Sequence, residues 1–178
     1  MKKLQVGQKA PDFRLPNVDG KEYSLANFKD KAVLVVVFTC NHCPYARAYE
    51  DRLINIQKDY AARGVQLVAI NPNDATGYPE DSFDNMVKRH SEKKFPYPYL
   101  RDETQRTARA YGAEYTPEAY VLDAQRIVRY VGRVDDNWQH PEKARSHDLR
   151  RAIEAVLAGR PVENPVTHAI GCTIKWKL

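Results

Sequence analysis

The chain has 178 residues, 43% of them hydrophobic, with 28 basic and 23 acidic side chains and a formal net charge of +5. That length fits one domain, expected over residues 1–178 with 160–178 as a C-terminal tail, and the composition excludes intrinsic disorder. Basic residues are interleaved with acids rather than gathered into a run that could track phosphates, no apolar stretch approaches a membrane span, and three cysteines are too few for a disulfide scaffold. Neither nucleic acid nor membrane is therefore expected as a partner, and nothing calls for a bound cofactor. The opening MKKLQVGQKAPDF lacks the apolar segment of a signal peptide, so a cytoplasmic protein is expected.

In chain order, DFRLP and KEYSL flank the turn Asn17-Val18-Asp19-Gly20 and suit a small hairpin. KAVLVVVF, from Lys31, is a continuous apolar, β-branched run, as expected of a strand covered on both faces. Residues 45–60 then have helical spacing, with Tyr45, Tyr49, Leu53 and Ile56 on one face. Gly64 ends that connection and VQLVAI is a second buried strand, which completes a βαβ unit. NPNDATGYPED reads as a loop, and 82–94 as a helix capped by Asp81 or Ser82. FPYPYL is extended, because proline biases its predecessor away from helix. A helix over 104–111, stopped by Gly112, precedes two strands, 119–122 and 127–131, joined by the turn DAQR. An irregular stretch over 135–141 leads to a last helix at 147–158, with Gly159 and Pro161 as stop signals; the tail ENPVTHAIGCTIKWKL has no helical period.

The chemistry is concentrated in Cys40-Asn41-His42-Cys43, at the junction of the first buried strand and the following helix. A helix start offers unpaired N–H groups and a partial positive charge, both of which favour thiolate, the attacking species in disulfide exchange. Two intervening residues bring the second sulfur close enough to resolve a mixed disulfide. C-x-x-C alone is a weak signal, but at the strand-to-helix junction of a βαβ unit it is strong. The helix start is expected to turn Cys40 outward, partly exposed, and to shield Cys43 behind it. His42 between them either stabilises the Cys40 thiolate, by charge and hydrogen bonding, or is a solvated helix-start residue.

GQKAPDFRLPNVDGKEYSLANFKDKAVLVVVF, TCNHCPY and YTPEAYVLD resemble the thioredoxin-like superfamily, in its branch similar to the alkyl hydroperoxide reductase/thiol-specific antioxidant proteins, and GCTIKW resembles a peroxiredoxin-like subgroup. The resemblance runs from about Val6 to Trp176. It implies an α/β thioredoxin-like fold: a central mixed sheet of about five strands flanked by helices, here with an N-terminal β-hairpin extension. It also implies that Cys40 is the nucleophile, that Cys43 is the resolving thiol, and that the Thr116–Pro117 bond is cis and shapes a groove facing the cysteines. The activity implied is thiol–disulfide oxidoreduction, with antioxidant peroxide reduction as a variant. The partners would be a protein or small-molecule disulfide, or peroxide, and a thiol reductant. The sequence departs from thioredoxin in having Thr39 where a tryptophan is usual and no acid within 33–38, which leaves Glu114, Glu118 or water to handle protons. It departs from true peroxiredoxins in placing its threonine next to Cys40.

Two alternatives stay open at this level. Cys172 is either an idle thiol or a third redox thiol on a tail that folds back, anchored by Ile174 and Trp176, with Gly171 allowing close backbone approach. And Cys40, His42 and Cys43, with Cys172 or His168, would also suit a copper or zinc chaperone.

Overall fold

The computed structural model describes residues 1–178. Its centre is a five-stranded sheet in the order β5-β4-β3-β7-β8. β3 (Val33–Phe38) pairs parallel with β4 (Val65–Asn71), and β4 with β5 (Tyr99–Arg101). β7 (Glu118–Leu122) runs antiparallel to β3 and to β8 (Val128–Gly132). All six residues of β3 are buried, which is what an uninterrupted apolar run in a central strand requires.

Alternate residues of the sheet feed two cores. Val33, Val35, Val37, Leu67, Ala119 and Val121 face one layer with Tyr49 and Leu53 of α1 (Pro44–Tyr60), Met86 of α2 (Phe83–Lys93) and Leu149 and Ile153 of α4 (Asp148–Leu157). Leu34, Val36, Phe38, Ile70 and Tyr120 face the other, with Tyr111 of α3 (Arg106–Tyr111), Phe13, Phe28 and Ile174. The N-terminal hairpin is β1 (Arg14–Pro16) and β2 (Glu22–Ser24). The hairpin, the βαβ unit, the later strand pair and each helix stand where the sequence places them, with ends shifted by one or two residues. Of the extended stretch expected over 95–100, only Tyr99 and Leu100 lie in a strand, β5. Ser82, not Asp81, caps α2, accepting from the Asn85 amide at 3.2 Å.

The tail differs from its featureless reading. Beyond α4 it lies along β8, where the Val131 amide donates to Pro165 O and the Thr167 amide to Val131 O. It then forms β9 (Cys172–Thr173), antiparallel to β6 (Tyr115–Thr116). Such a two-residue pairing, between residues 56 and 58 positions apart in sequence, has no periodicity for a sequence reading to detect.

α3 ends at Gly112 in the left-handed conformation (φ +65°), where a Cβ would stand 2.3 Å from Lys3 Cα and 2.4 Å from Lys2 O. Gly112→Ala combines backbone strain with a backbone clash, and is expected to lower unfolding free energy by about 1–3 kcal/mol in a denaturant titration.

Candidate active site

β3 delivers Cys40 to the carboxyl end of the sheet, and because β7 is its antiparallel neighbour, the start of β7 lies at that same end. Phe38 pairs with Glu118, so Pro117 falls beside the Thr39–Cys40 corner. The Thr116–Pro117 bond is cis, as expected. Thr116 is fully buried between the two sulfurs: its Oγ1 lies 3.4 Å from Cys40 Sγ, and its carbonyl oxygen lies 3.5 Å from Cys43 Sγ, close enough to accept from that sulfur whenever it is protonated.

Cys43 is the N-cap of α1, with Pro44 as the first helical residue. The expected difference in exposure between the cysteines is not found: Cys40 is 2% exposed and Cys43 0%. The tail is the reason. Cys172 packs on the Cys40–Cys43–Ala46 cluster, and Gly171 lies so close to the Thr116–Pro117 peptide that a Cβ would stand 2.4 Å from Thr116 O. All three cysteines are free thiols.

The sulfurs share protons unequally. The hydrogen bond from Cys40 holds the Cys43 thiol down, to about 5, against the cost of burial, with help from the Cys172 thiol, the Ala46 amide at the helix start and the Cys172 amide. The same bond raises Cys40 well above the ordinary thiol range, and burial and the Asp81 carboxylate push it further up. Cys172 is raised to about 11 by burial and by its hydrogen bond and repulsion with Cys43, while Lys175 opposes the rise. The reduced trio therefore carries its negative charge on Cys43, the central sulfur.

Asp81 is the residue that sequence reasoning missed. Its fully buried carboxylate accepts from the Asn41 amide at 2.7 Å, Asn71 Nδ2 at 3.1 Å and Asn73 Nδ2 at 3.0 Å, and forms a short hydrogen bond with His42 Nδ1. Tyr99 donates to Asn41 Oδ1 at 2.8 Å, and Tyr78 stacks on the His42 ring. His42 is thus held by a buried acid and an aromatic face rather than left in solvent. The acids expected to handle protons are engaged elsewhere: Glu118 with Lys3 at 2.7 Å and with the Glu114 backbone amide at 3.0 Å, and the Glu114 carboxylate 3.9 Å from Lys3. A sequence signal did exist. Parallel pairing sets the end of β4 beside the end of β3, so polar residues following VQLVAI had to meet Cys40. Of the sequence-predicted residues, Cys40, Cys43, Thr116, Pro117 and Cys172 share one contact shell, and His42 joins it through Asp81. His168 instead packs edge-on against Tyr115.

Residues 6–131 match the AhpC/TSA family. The chain is similar to the crystal structure of an uncharacterized conserved protein of Geobacillus kaustophilus, at 42% identity and a TM-score of 0.92 over 99% of this chain and 94% of that one. It is similar to the thiol-disulfide oxidoreductase ResA of Geobacillus thermodenitrificans, 26% identical over 145 residues, 78% of each chain. It is also similar to the chloroplastic peroxiredoxin Q of Oryza sativa subsp. japonica, 25% identical over 148 residues, 79% of this chain and 63% of the relative.

Two measurements check this electrostatic arrangement. Above pH 5 the reduced form already lacks the Cys43 proton, so reducing the disulfide takes up one proton instead of two. The midpoint potential should therefore fall by about 60 mV per pH unit below about pH 5 and by about 30 mV per unit above it. A steep slope persisting to pH 8 would contradict a thiolate on Cys43. Asp81→Asn turns an amide donor toward the Asn41, Asn71 and Asn73 donors, and should cost about 2–3 kcal/mol in denaturant unfolding.

Proposed function

We infer the function from a premise the match supplies: the chain belongs to the AhpC/TSA family, and we propose that it is a thiol–disulfide oxidoreductase whose working couple is Cys40–Cys43. The observation that carries this is the pair of sulfurs sharing protons against Thr116, at the cis-Pro117 junction. Cys40 attacks the substrate disulfide. Because its thiol is neutral at rest, its proton needs an acceptor, and His42 held by Asp81 is adjacent: the Cys40, His42 and Asp81 ligand atoms all lie within 4.8 Å of one another. One substrate sulfur leaves as a thiol, and the Cys43 thiolate then attacks Cys40 Sγ, closing the Cys40–Cys43 disulfide and expelling the second substrate thiol.

Peroxide reduction uses the same parts. Cys40 sulfur takes one peroxide oxygen to become a sulfenic acid while the other leaves as water or alcohol. Cys43 then displaces the sulfenic oxygen as water. Burial of both sulfurs favours small oxidants, a feature in keeping with the similarity to peroxiredoxin Q. A thiol reductant restores the dithiol in either case.

The cluster of Cys40, His42 and Asp81 also has metal-ligand character. A metal there would have to displace the Asn41, Asn71 and Asn73 hydrogen bonds that already saturate the Asp81 carboxylate. The redox reading needs no such displacement.

In a turnover assay with a small disulfide and with hydrogen peroxide, Cys40→Ser and Cys43→Ser should each lose more than 100-fold, and Cys43→Ser should accumulate a mixed disulfide on Cys40 when a disulfide is the substrate. Trapping on Cys43 in Cys40→Ser would reverse the two roles. Zinc or copper retained at one equivalent after dialysis of the reduced protein would favour the metal reading instead.

A further inference from the structure

The three thiols are arranged in series. Cys43 is in the middle: its sulfur takes hydrogen bonds from both Cys40 and Cys172, and Cys172 packs on the buried Cys40–Cys43–Ala46 cluster. They also differ in access. Cys40 and Cys43 are buried, and Cys172 is half-buried, at the surface end of the series. Its position is fixed by the fold on both sides. Cys172 pairs in register with Thr116, and Gly171 lies against the Thr116 carbonyl. The Ile174 amide donates to Glu114 O at 2.9 Å and the Lys175 amide to Asn73 Oδ1 at 2.9 Å. An idle thiol needs no such placement, and a buried disulfide needs an exit.

We propose that Cys172 is the outlet of a three-thiol relay: it attacks Cys43 in the oxidised pair, forms a Cys43–Cys172 disulfide, and presents the oxidation to an external dithiol reductant. The relay rests on the Cys40–Cys43 couple proposed above. In the internal step the Cys40–Cys43 bond breaks as the Cys43–Cys172 bond forms. Cys40 leaves with the bonding electron pair and takes up the proton that Cys172 gives up, so no net charge or oxidation is gained or lost. In the external step one sulfur of the reductant attacks Cys172, and Cys43 leaves as thiolate. The second reductant sulfur then attacks the first, releasing the Cys172 thiol and an oxidised reductant. Two electrons pass from the dithiol to the protein.

The local chemistry favours the external step, and proximity drives the internal one. Cys43 is the good leaving group of the outer disulfide, since its thiolate is the stable one, so attack is directed to the accessible Cys172 sulfur. In the reduced protein, Cys172 is kept protonated partly by the Cys43 charge. Oxidation of Cys43 removes that charge, which lowers the cost of ionising Cys172 although burial still holds it up.

The test oxidises the full chain with one equivalent of diamide, blocks free thiols and maps disulfides by peptide mass. Wild type is expected to give the Cys40–Cys43 disulfide together with Cys43–Cys172, and Cys40→Ser to give Cys43–Cys172 as its main species. Re-reduction by dithiothreitol is then followed: Cys172→Ser, checked for native circular dichroism, should be at least ten-fold slower than wild type, and Cys172→Ala should match it. The relay is overturned if Cys40→Ser forms no Cys43–Cys172 bond, or if both Cys172 variants are reduced as fast as wild type or faster. Absence of the Cys40–Cys43 disulfide from oxidised wild type would instead sink the underlying couple.

Discussion

The site is built around Thr116, at the point where one extended segment changes partners. Up to Thr116 the chain pairs with the tail, and after the cis peptide bond to Pro117 it pairs with β3. The result is that one buried residue presents its hydroxyl to Cys40, its carbonyl to Cys43 and its backbone edge to Cys172. Displacing Thr116 would disturb all three sulfurs together, whereas changing any one cysteine leaves the frame that holds the others.

Around that frame, charge is managed by two kinds of dipole. The start of α1 favours negative charge on Cys43, and a ring of amides from Asn41, Asn71 and Asn73 holds the buried Asp81 carboxylate. Cys40 lies between these negative centres, which explains why it remains neutral at rest although it shares a loop with a helix start. Asn73 joins the two halves of the site, donating to Asp81 while accepting from the Lys175 amide of the tail. The position of the tail and the setting of the acid are consequently one mechanical unit.

The sequence was legible wherever a signal was periodic or local. The β3 run, the α1 face, the turn before β8 and the C-x-x-C at a strand-to-helix junction each depend on residues close in sequence, and each has its counterpart in the structure. The cis Pro117 was legible through resemblance, not through the residues themselves. What escaped reading is non-local. Asp81 looks like a helix cap, because Ser82 beside it is one; its role follows from β4 lying parallel to β3, which carries Asn71 and Asn73 to the cysteines. The burial of Cys40 was missed for the same reason, since its cover, Gly171–Cys172, lies some 130 positions away in a segment with no pattern of its own.

That cover has a consequence for selectivity. β9 is only two residues long, so a bulky substrate reaches the sulfurs only when the Ile174–Glu114 and Lys175–Asn73 hydrogen bonds that pin it part, an opening local to the strap. A substrate small enough to slip past the closed strap reacts with every molecule, but a bulky one reacts only with those whose strap has lifted. An opening cost of about 2.7 kcal/mol would leave roughly one molecule in a hundred receptive, and the apparent rate for large substrates would fall by that factor while the chemistry at sulfur stayed the same. The strap thus acts as a sieve set by a population rather than by an aperture. Its mesh can be retuned by exchanging residues such as Ile174 or Trp176 that never approach the reacting atoms.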